Sequence, residues 1–150
     1  MLNEDYHDVL SEFDAAGVEY LLVGGFAVAA HGWPRATGDM DLWVRPTPDN
    51  ARRVMRALER FGAPMSNVSE RDFVTPDMIL QIGVSPRRID IMTSVTGVDF
   101  DEAWRMRLVT ELGGLRVNVI GRDHLIANKS LTARPKDKAD VRALRRKLRG

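Results

Sequence analysis

Three aspartates lie in apolar stretches of the sequence, and their type and spacing could support metal chemistry. Asp39 and Asp41 are separated by one residue in GDMDLWV, and Asp90 stands between two isoleucines in RIDI. Residues two apart on a strand point to the same face, and an unpaired buried carboxylate is costly. Carboxylate oxygens suit Mg²⁺ or Mn²⁺. We therefore predict that the three aspartates hold such a cation; for Asp90, a salt bridge to Arg87 or Arg88 is the alternative.

A pair of glycines precedes the first two acids. Gly24 and Gly25 follow the apolar run YLLV and lead into a helix of small residues. Glycines let a backbone approach a phosphate closely, and the start of a helix presents free N–H groups to an anion. A simple tight turn is the alternative. Because Mg²⁺ takes its remaining ligands from substrate phosphates, the predicted chemistry is phosphoryl or nucleotidyl transfer.

Three further residues are candidates for binding phosphate, each with a structural alternative. Arg35 could bind a triphosphate through its guanidinium fork, or it could pair with an acid and hold the loop that also contains Thr37. Lys129 follows Leu125 by four residues, so on a helix the two share a partly buried face. Its ammonium could meet phosphate or one of the site acids, or the side chain could extend toward solvent. Asp137 and Asp140, predicted in the first turn of the last helix, could also hold Lys129 or Arg134 in place.

The composition narrows the classes of site and location. The chain has 150 residues, 44% apolar and 29% charged, with a net charge of +1, which is typical of one globular domain. The absence of cysteine excludes disulfides and thiolate metal sites, and suits a cytoplasmic protein. No apolar run is long enough for a membrane span, and the N-terminus lacks signal-peptide features. The basic C-terminal segment could meet a polyanion or be a solvated helix face.

The elements that must position the candidate residues follow from the apolar periodicity. Helices are predicted at 3–16, 26–31, 47–61, 100–106, 121–132 and 135–148. Strands are predicted at 18–23, 39–44, 78–82, 88–93, 109–112 and 115–120, with a short strand near Phe73 in an otherwise irregular segment. The apolar strand 18–23 should be central. We expect one α/β (α+β) domain over residues 1–150, with a mixed sheet in a core at about 18–120 and C-terminal helices at about 121–148.

The arrangement of these motifs resembles the polymerase-beta-type nucleotidyltransferase superfamily. That family has an apolar-Gly-Gly/Ser turn, then paired acids, then a third acid on a later strand. The matching segments here are Val23-Gly24-Gly25, Asp39-Met40-Asp41-Leu42 and Ile89-Asp90-Ile91. Two further segments, Arg35-Ala36-Thr37 before the paired acids and the stretch from Lys129 to Asp140 after the third acid, resemble a bacterial subgroup. That subgroup includes small nucleotidyltransferases and the toxins of abortive-infection-type toxin–antitoxin pairs.

The resemblance implies a nucleotidyltransferase fold and a metal-dependent reaction. Asp39 and Asp41 would hold Mg²⁺ on a nucleoside triphosphate (NTP), and Asp90 would complete the metal site and help activate an acceptor hydroxyl. Gly24 and Gly25 would cradle the phosphates. The acceptor could be RNA (tRNA included), a protein or a small molecule, and a cognate antitoxin is an expected partner if the chain is a toxin. A binding module without turnover and a metal-dependent phosphohydrolase remain as alternatives.

Overall fold

The described residues form a mixed β-sheet with helices packed around it. A computed structural model describes residues 2–33, 38–131, 140–142 and 144–145. The strands are β1 (Tyr20–Val23), β2 (Met40–Val44), β3 (Ile79–Ile82), β4 (Ile89–Met92), β5 (Leu108–Leu112) and β6 (Leu115–Val119). The helices are α1 (Glu4–Ala16), α2 (Gly24–Ala30), α3 (Pro48–Phe61), α4 (Phe100–Arg105) and α5 (Arg122–Ser130). Residues 140–142 and 144–145 are also helical, within the predicted last helix.

The sheet has six strands in the order β3-β4-β2-β1-β6-β5. β1 pairs with β2 antiparallel and with β6 parallel, whereas β2 pairs with β4 parallel. The outer pairs β3/β4 and β5/β6 are antiparallel. The predicted mixed α/β architecture is confirmed, and so is the central position of β1, whose four residues are all buried.

Two helices that flank the sheet confirm the predicted boundaries but only part of the predicted packing. α1 begins at Asn3, whose side chain accepts a hydrogen bond from Tyr6 N–H. In α3, the predicted stripe residues Val54 and Leu58 are buried, whereas Met55 and Phe61 are only partly so. The buried face of α3 instead includes Asn50, Ala51 and Ala57. Small alanines let a helix approach the layer beneath it closely, and this use of alanine is not visible in an apolar count.

Two local predictions were wrong for identifiable reasons. The segment around Phe73 is not a strand but a 3₁₀ helix, Glu70–Val74, because Ser69 and Asp72 cap each other's backbone N–H groups. Gly24 and Gly25 do not form a turn ahead of α2; α2 begins at Gly24 itself. Gly24 has a φ of 68°, which L-residues rarely adopt, so it makes the change of direction without a loop.

None of the helices in the described segments has the length and apolar content needed to cross a bilayer.

Candidate metal and nucleotide site

The three candidate aspartates meet at one edge of the sheet, where β2 and β4 begin and β1 ends. Asp41 in β2 and Asp90 in β4 are directly opposite each other across the parallel pair. Asp39 precedes β2 and lies two residues before Asp41. Facing residues on neighbouring strands, and residues two apart on one strand, point to the same face. Strand register therefore brings the three carboxylates to one face, as their spacing predicted for the first two.

Gly24 is placed against the second of these acids. Val23, the last residue of β1, pairs with Asp41, and Gly24 follows it. A Cβ at Gly24 would overlap the Asp41 carboxylate oxygen Oδ2. The missing side chain thus leaves the space that the Asp41 carboxylate fills. Gly25 is the second residue of α2, so the structure brings both predicted glycines to the edge that carries the acids.

Arg88 bridges two of the three acids. One guanidinium nitrogen, Nη2, lies 2.8 Å from Asp39 Oδ2, and Nε lies 3.1 Å from Asp90 Oδ1. Ser85 Oγ donates a hydrogen bond of 3.0 Å to the other Asp39 oxygen, Oδ1. Asp90 therefore makes the salt bridge that was the alternative to its metal role, and it shares Arg88 with Asp39. Within the described segments, no three potential ligand side chains form a ready-made metal cluster.

The Asp90 carboxyl is the most enclosed of the ion-paired acids at this edge, with 12% of its side chain exposed. Burial raises the pKa of Asp90, and the negative charge of Asp39 adds to the rise, while Arg88 opposes it. The ionised form of the Asp90 carboxyl is thus less favourable in this position than in water. A divalent cation beside it would favour the charged form, and a carboxylate with a raised pKa is also suited to accept a proton from an acceptor hydroxyl.

The residues at this edge fit a hard divalent cation. Asp39, Asp41 and Asp90 supply only oxygen ligands, which match Mg²⁺ or Mn²⁺ rather than zinc. The buried Asp90 Oδ1 lies within ion-pair distance of Arg88 Nε but has no hydrogen bond of good geometry. A buried oxygen of this kind gains from a cation ligand. A metal held by these three acids stays a prediction, with which the oxygen donors are chemically compatible.

Tyr6 contacts the two chain segments that lead into Asp39 and Asp90. Its hydroxyl lies 2.8 Å from the carbonyl oxygen of Gly38, 3.1 Å from that of Pro86 and 2.9 Å from that of Arg88. Gly38 is the residue before Asp39, and Arg88 is the arginine that bridges the acids. Burial raises the pKa of Tyr6, and the charges of Asp39, Asp41 and Asp90 raise it further, partly opposed by the backbone of Met40. The hydroxyl is therefore a neutral donor close to all three acids.

Replacing Tyr6 by phenylalanine should lower the free energy of unfolding by about 1–3 kcal/mol, because the surrounding carbonyl oxygens lose the one hydroxyl proton that they share. Mn²⁺ binding should weaken as well, because the loops before Asp39 and Asp90 lose their common anchor. Urea unfolding and Mn²⁺ titration measure the two effects. Tyr20→Phe is the matched control, since the Tyr20 hydroxyl accepts one long bond of 3.4 Å from Asn118 N–H. Wild-type Mn²⁺ affinity in Tyr6→Phe would exclude a positioning role.

Lys129 lies in a buried ion pair with Asp140. Its Nζ is 3.0 Å from Asp140 Oδ2, and the two residues are 4% and 2% exposed. The pair joins α5 to the helical residues near the C-terminus. Of the two partners predicted for the Lys129 ammonium, the structure gives it an acid, and that acid is Asp140. Phosphate binding by Lys129 stays a prediction, and the ion pair with Asp140 accounts for the buried ammonium without it.

Replacing Lys129 by methionine should cost about 3–5 kcal/mol of unfolding free energy, because Asp140 would be left as an uncompensated buried charge. The double variant Lys129→Met/Asp140→Leu should recover most of that loss, since it removes both charges. Denaturant unfolding of the two single variants and the double variant gives the coupling between the residues. Additive losses in this cycle would contradict a direct interaction.

The remaining predicted residues, Arg35, Thr37, Arg134 and Asp137, lie outside the described residues. Arg88 was predicted only as one possible ion-pair partner of Asp90, and its second contact, with Asp39, was not predicted. Tyr6 was not predicted as part of the site at all. The sequence carries no signal for its role, because it belongs to the apolar stripe of α1 and its partners are far away in the sequence.

A cavity of about 670 Å³ opens beside α2 and α5, and none of the three aspartates lines it. Its wall includes His31, at the end of α2, together with Arg122 and His124 in the first turn of α5. His31 Nε2 lies 2.8 Å from the carbonyl oxygen of Ile120. Arg122 Nε and His124 Nδ1 are buried without a hydrogen-bond partner among the described residues. The cavity is large enough for a drug-sized molecule.

Comparison with known proteins gives one family. The family described as nucleotidyl transferase of unknown function, DUF2204, matches residues 2–149. A search of curated proteins finds no match to the chain.

Three solved structures share the fold of this chain. The lincosamide antibiotic adenylyltransferase LnuA, determined with lincomycin bound, has a TM-score of 0.62 and 14% identity over 97% of each chain. The antibiotic-resistance factor ANT(2'')-Ia has a TM-score of 0.63 and 13% identity, covering 96% of this chain and 82% of its own. A Thermotoga maritima protein, described as a candidate nucleotidyltransferase, has a TM-score of 0.56 and 16% identity, covering 99% and 96%. At these identities the similarity establishes the fold.

Proposed function

This chain belongs to the nucleotidyl transferase family DUF2204, and from that premise we propose that it moves a nucleoside monophosphate from an NTP onto an acceptor hydroxyl. The proposed reaction depends on a divalent cation, Mg²⁺ or Mn²⁺, held by Asp39, Asp41 and Asp90. The observation that carries the proposal is the register that sets Asp41 opposite Asp90, with Gly24 packed on Asp41. Aspartates on neighbouring strands and a glycine turn beside them also make up the motif of the superfamily that the sequence resembles.

We propose a separate role for each site residue, according to its position. Asp39, Asp41 and Asp90 would hold the cation, and the first two would thereby help to orient the triphosphate. Gly24 and Gly25 let its phosphates approach the backbone at the start of α2. Asp90 accepts the proton of the acceptor hydroxyl. Arg35 and Thr37 are proposed to contact the triphosphate. A bound Mg²⁺ would supply positive charge that offsets the charge developing on the phosphates.

The bond changes balance without a further reactant. The acceptor oxygen attacks the α-phosphorus, and the bond from that phosphorus to the oxygen bridging the α- and β-phosphates breaks. Pyrophosphate leaves with the electron pair of that bond. The acceptor proton passes to Asp90 and then to solvent. The products are the acceptor, which now carries one nucleoside monophosphate group, and free pyrophosphate.

Among the possible acceptors, we propose a small molecule first. The cavity of about 670 Å³ has the size of small-molecule sites, but none of the three aspartates lines it, so it does not by itself mark the acceptor site. ANT(2'')-Ia has been determined in complex with adenylyl-2''-tobramycin, and that chain is covered to 96% by the alignment. A chain of about this extent can therefore carry a small acceptor. RNA and protein acceptors become the other arms of the test.

The test is a transfer screen with each of the four NTPs, with Mg²⁺ and without it. The acceptors are lincomycin, tobramycin, a small-hydroxyl compound library, tRNA and cell lysate. We expect an acceptor whose mass rises by one nucleoside monophosphate, with equimolar pyrophosphate, only when Mg²⁺ is present. Equal product from Asp39→Ala and Asp41→Ala would contradict the proposal. Metal-dependent NTP binding without pyrophosphate in any arm would favour the non-catalytic alternative, and product without acceptor would favour a phosphohydrolase.

A further inference from the structure

The side chain of Arg88 occupies oxygens that a metal ion would need. Its guanidinium lies within 2.8 Å of an Asp39 oxygen and 3.1 Å of an Asp90 oxygen, and Nη2 also lies 3.3 Å from Asp90 Oδ2. A guanidinium has only N–H donors. It can pair with carboxylates, but it cannot itself become a metal ligand beside them. A cation cannot bind the same lone pairs while Arg88 remains there.

The backbone of Arg88 is fixed, whereas its side chain reaches toward solvent. Its carbonyl oxygen accepts hydrogen bonds from Met40 N–H at 3.1 Å and from the Tyr6 hydroxyl at 2.9 Å. The side chain is 34% exposed, against 12% for that of Asp90. The guanidinium can therefore move without unfolding β4, while the acids stay on their strands. The moving part of this contact is the arginine.

The charge at this edge is also unbalanced. Asp39, Asp41 and Asp90 carry three negative charges when ionised, and Arg88 brings one positive charge to two of them. An arginine remains protonated at any pH the protein experiences. The site thus holds a permanent cation of its own, of lower charge than Mg²⁺, in contact with two of the proposed ligands.

We propose that Arg88 is a built-in counter-cation that couples metal binding to nucleotide binding. This inference rests on the proposed function. The arginine holds Asp39 and Asp90 together until a metal displaces it. The displaced guanidinium finds a new partner in the triphosphate, which it can bind through its planar fork. A metal that binds alone must therefore break the ion pairs of Arg88 without replacement. When triphosphate binds too, Arg88 gains new ion pairs with the phosphates in place of those it loses. Such coupling is reciprocal, so metal strengthens triphosphate binding by the same factor.

The test is Mn²⁺ binding, followed by electron paramagnetic resonance of free Mn²⁺, with and without inorganic tripolyphosphate. Because tripolyphosphate binds Mn²⁺ by itself, the binding measured without protein is subtracted at each concentration. We expect Arg88→Gln to bind Mn²⁺ alone at least about tenfold more tightly than wild type, since the competing cation is gone. The gain in Mn²⁺ affinity on adding tripolyphosphate should be smaller in Arg88→Gln than in wild type. Arg88→Lys keeps the charge but not the fork, so it should lie between the two.

Arg87→Gln is the matched control. It removes the same charge from the neighbouring residue, whose guanidinium contacts Asp5 at 3.4 Å, so its Mn²⁺ affinity should stay near that of wild type. Circular dichroism verifies that each variant is folded, and Arg88→Lys serves if Arg88→Gln is not. Mn²⁺ affinity in Arg88→Gln equal to or weaker than wild type would overturn the inference alone. Absence of Mn²⁺ binding in wild type and variants, with tripolyphosphate present, would overturn the proposed function with it.

Discussion

Replacing Asp41 by asparagine is expected to lower the rate of nucleotidyl transfer by about 1,000-fold. Loss of one carboxylate weakens the electrostatic stabilisation that a metal ion provides, which is worth several kcal/mol, and about 4 kcal/mol corresponds to that factor. Asparagine has nearly the same shape, so the melting temperature should change little. The measurement is the rate of pyrophosphate release at saturating NTP, together with a thermal melt of each protein.

The control for Asp41→Asn is Asp49→Asn. Asp49 is an exposed acid of α3 that pairs with Arg52, so its loss should affect neither the rate nor the binding of Mn²⁺. Full activity in Asp41→Asn would show that the Asp41 carboxylate is not needed for catalysis. A large fall in melting temperature would instead show that Asp41 is needed mainly for folding.

Replacing Gly24 by alanine should lower the rate by about 100-fold and also destabilise the protein. Alanine at a φ of 68° costs about 1–2 kcal/mol. In addition, the new methyl group overlaps Asp41 Oδ2, and a displacement of about 1 Å at a reacting centre can cost 10²-fold in rate. Mn²⁺ affinity should fall in parallel, because the Asp41 carboxylate must move. Rate, metal affinity and unfolding free energy are measured on the same preparation.

Gly17→Ala separates the two causes. Gly17 has a φ of 71° and has no atom within 4 Å of the position of an added Cβ, so alanine there brings the same backbone strain without overlap. It should lose about 1–2 kcal/mol of stability and keep wild-type rate and Mn²⁺ affinity. If Gly24→Ala behaves like Gly17→Ala, the contact between Gly24 and Asp41 has no role in the site.

The sequence alone predicted the strands of the site because their acids stand out among apolar neighbours. Asp90 between two isoleucines, and Asp39 and Asp41 ahead of a buried strand, are conspicuous for this reason. Sequence spacing could not predict that Asp41 faces Asp90, since that pairing depends on how β2 and β4 align across a long connection. The position of Gly24 against Asp41 depends on a different pairing, the antiparallel register of β1 with β2 that sets Val23 opposite Asp41.

Other parts of the site were hidden because their partners come from distant segments. Tyr6 looks like one member of the apolar stripe of α1, yet its hydroxyl meets carbonyl groups 32 to 82 residues away. Arg88 was recognised only as an alternative partner of Asp90. Its second partner, Asp39, required the parallel pairing of β2 with β4. Periodicity predicts which face a side chain occupies, but it does not predict which polar atoms converge there.

The most direct measurement of the central claim follows the phosphates of a labelled NTP through the reaction. Wild-type protein is incubated with an accepted hydroxyl compound and an NTP that carries ³²P at the α- or the γ-position, with Mg²⁺ or with a chelator. Nucleotidyl transfer predicts α-label joined to the acceptor, γ-label only in pyrophosphate, and neither product with the chelator. Transfer of γ-label to the acceptor, or transfer of α-label that persists without metal, would contradict the account.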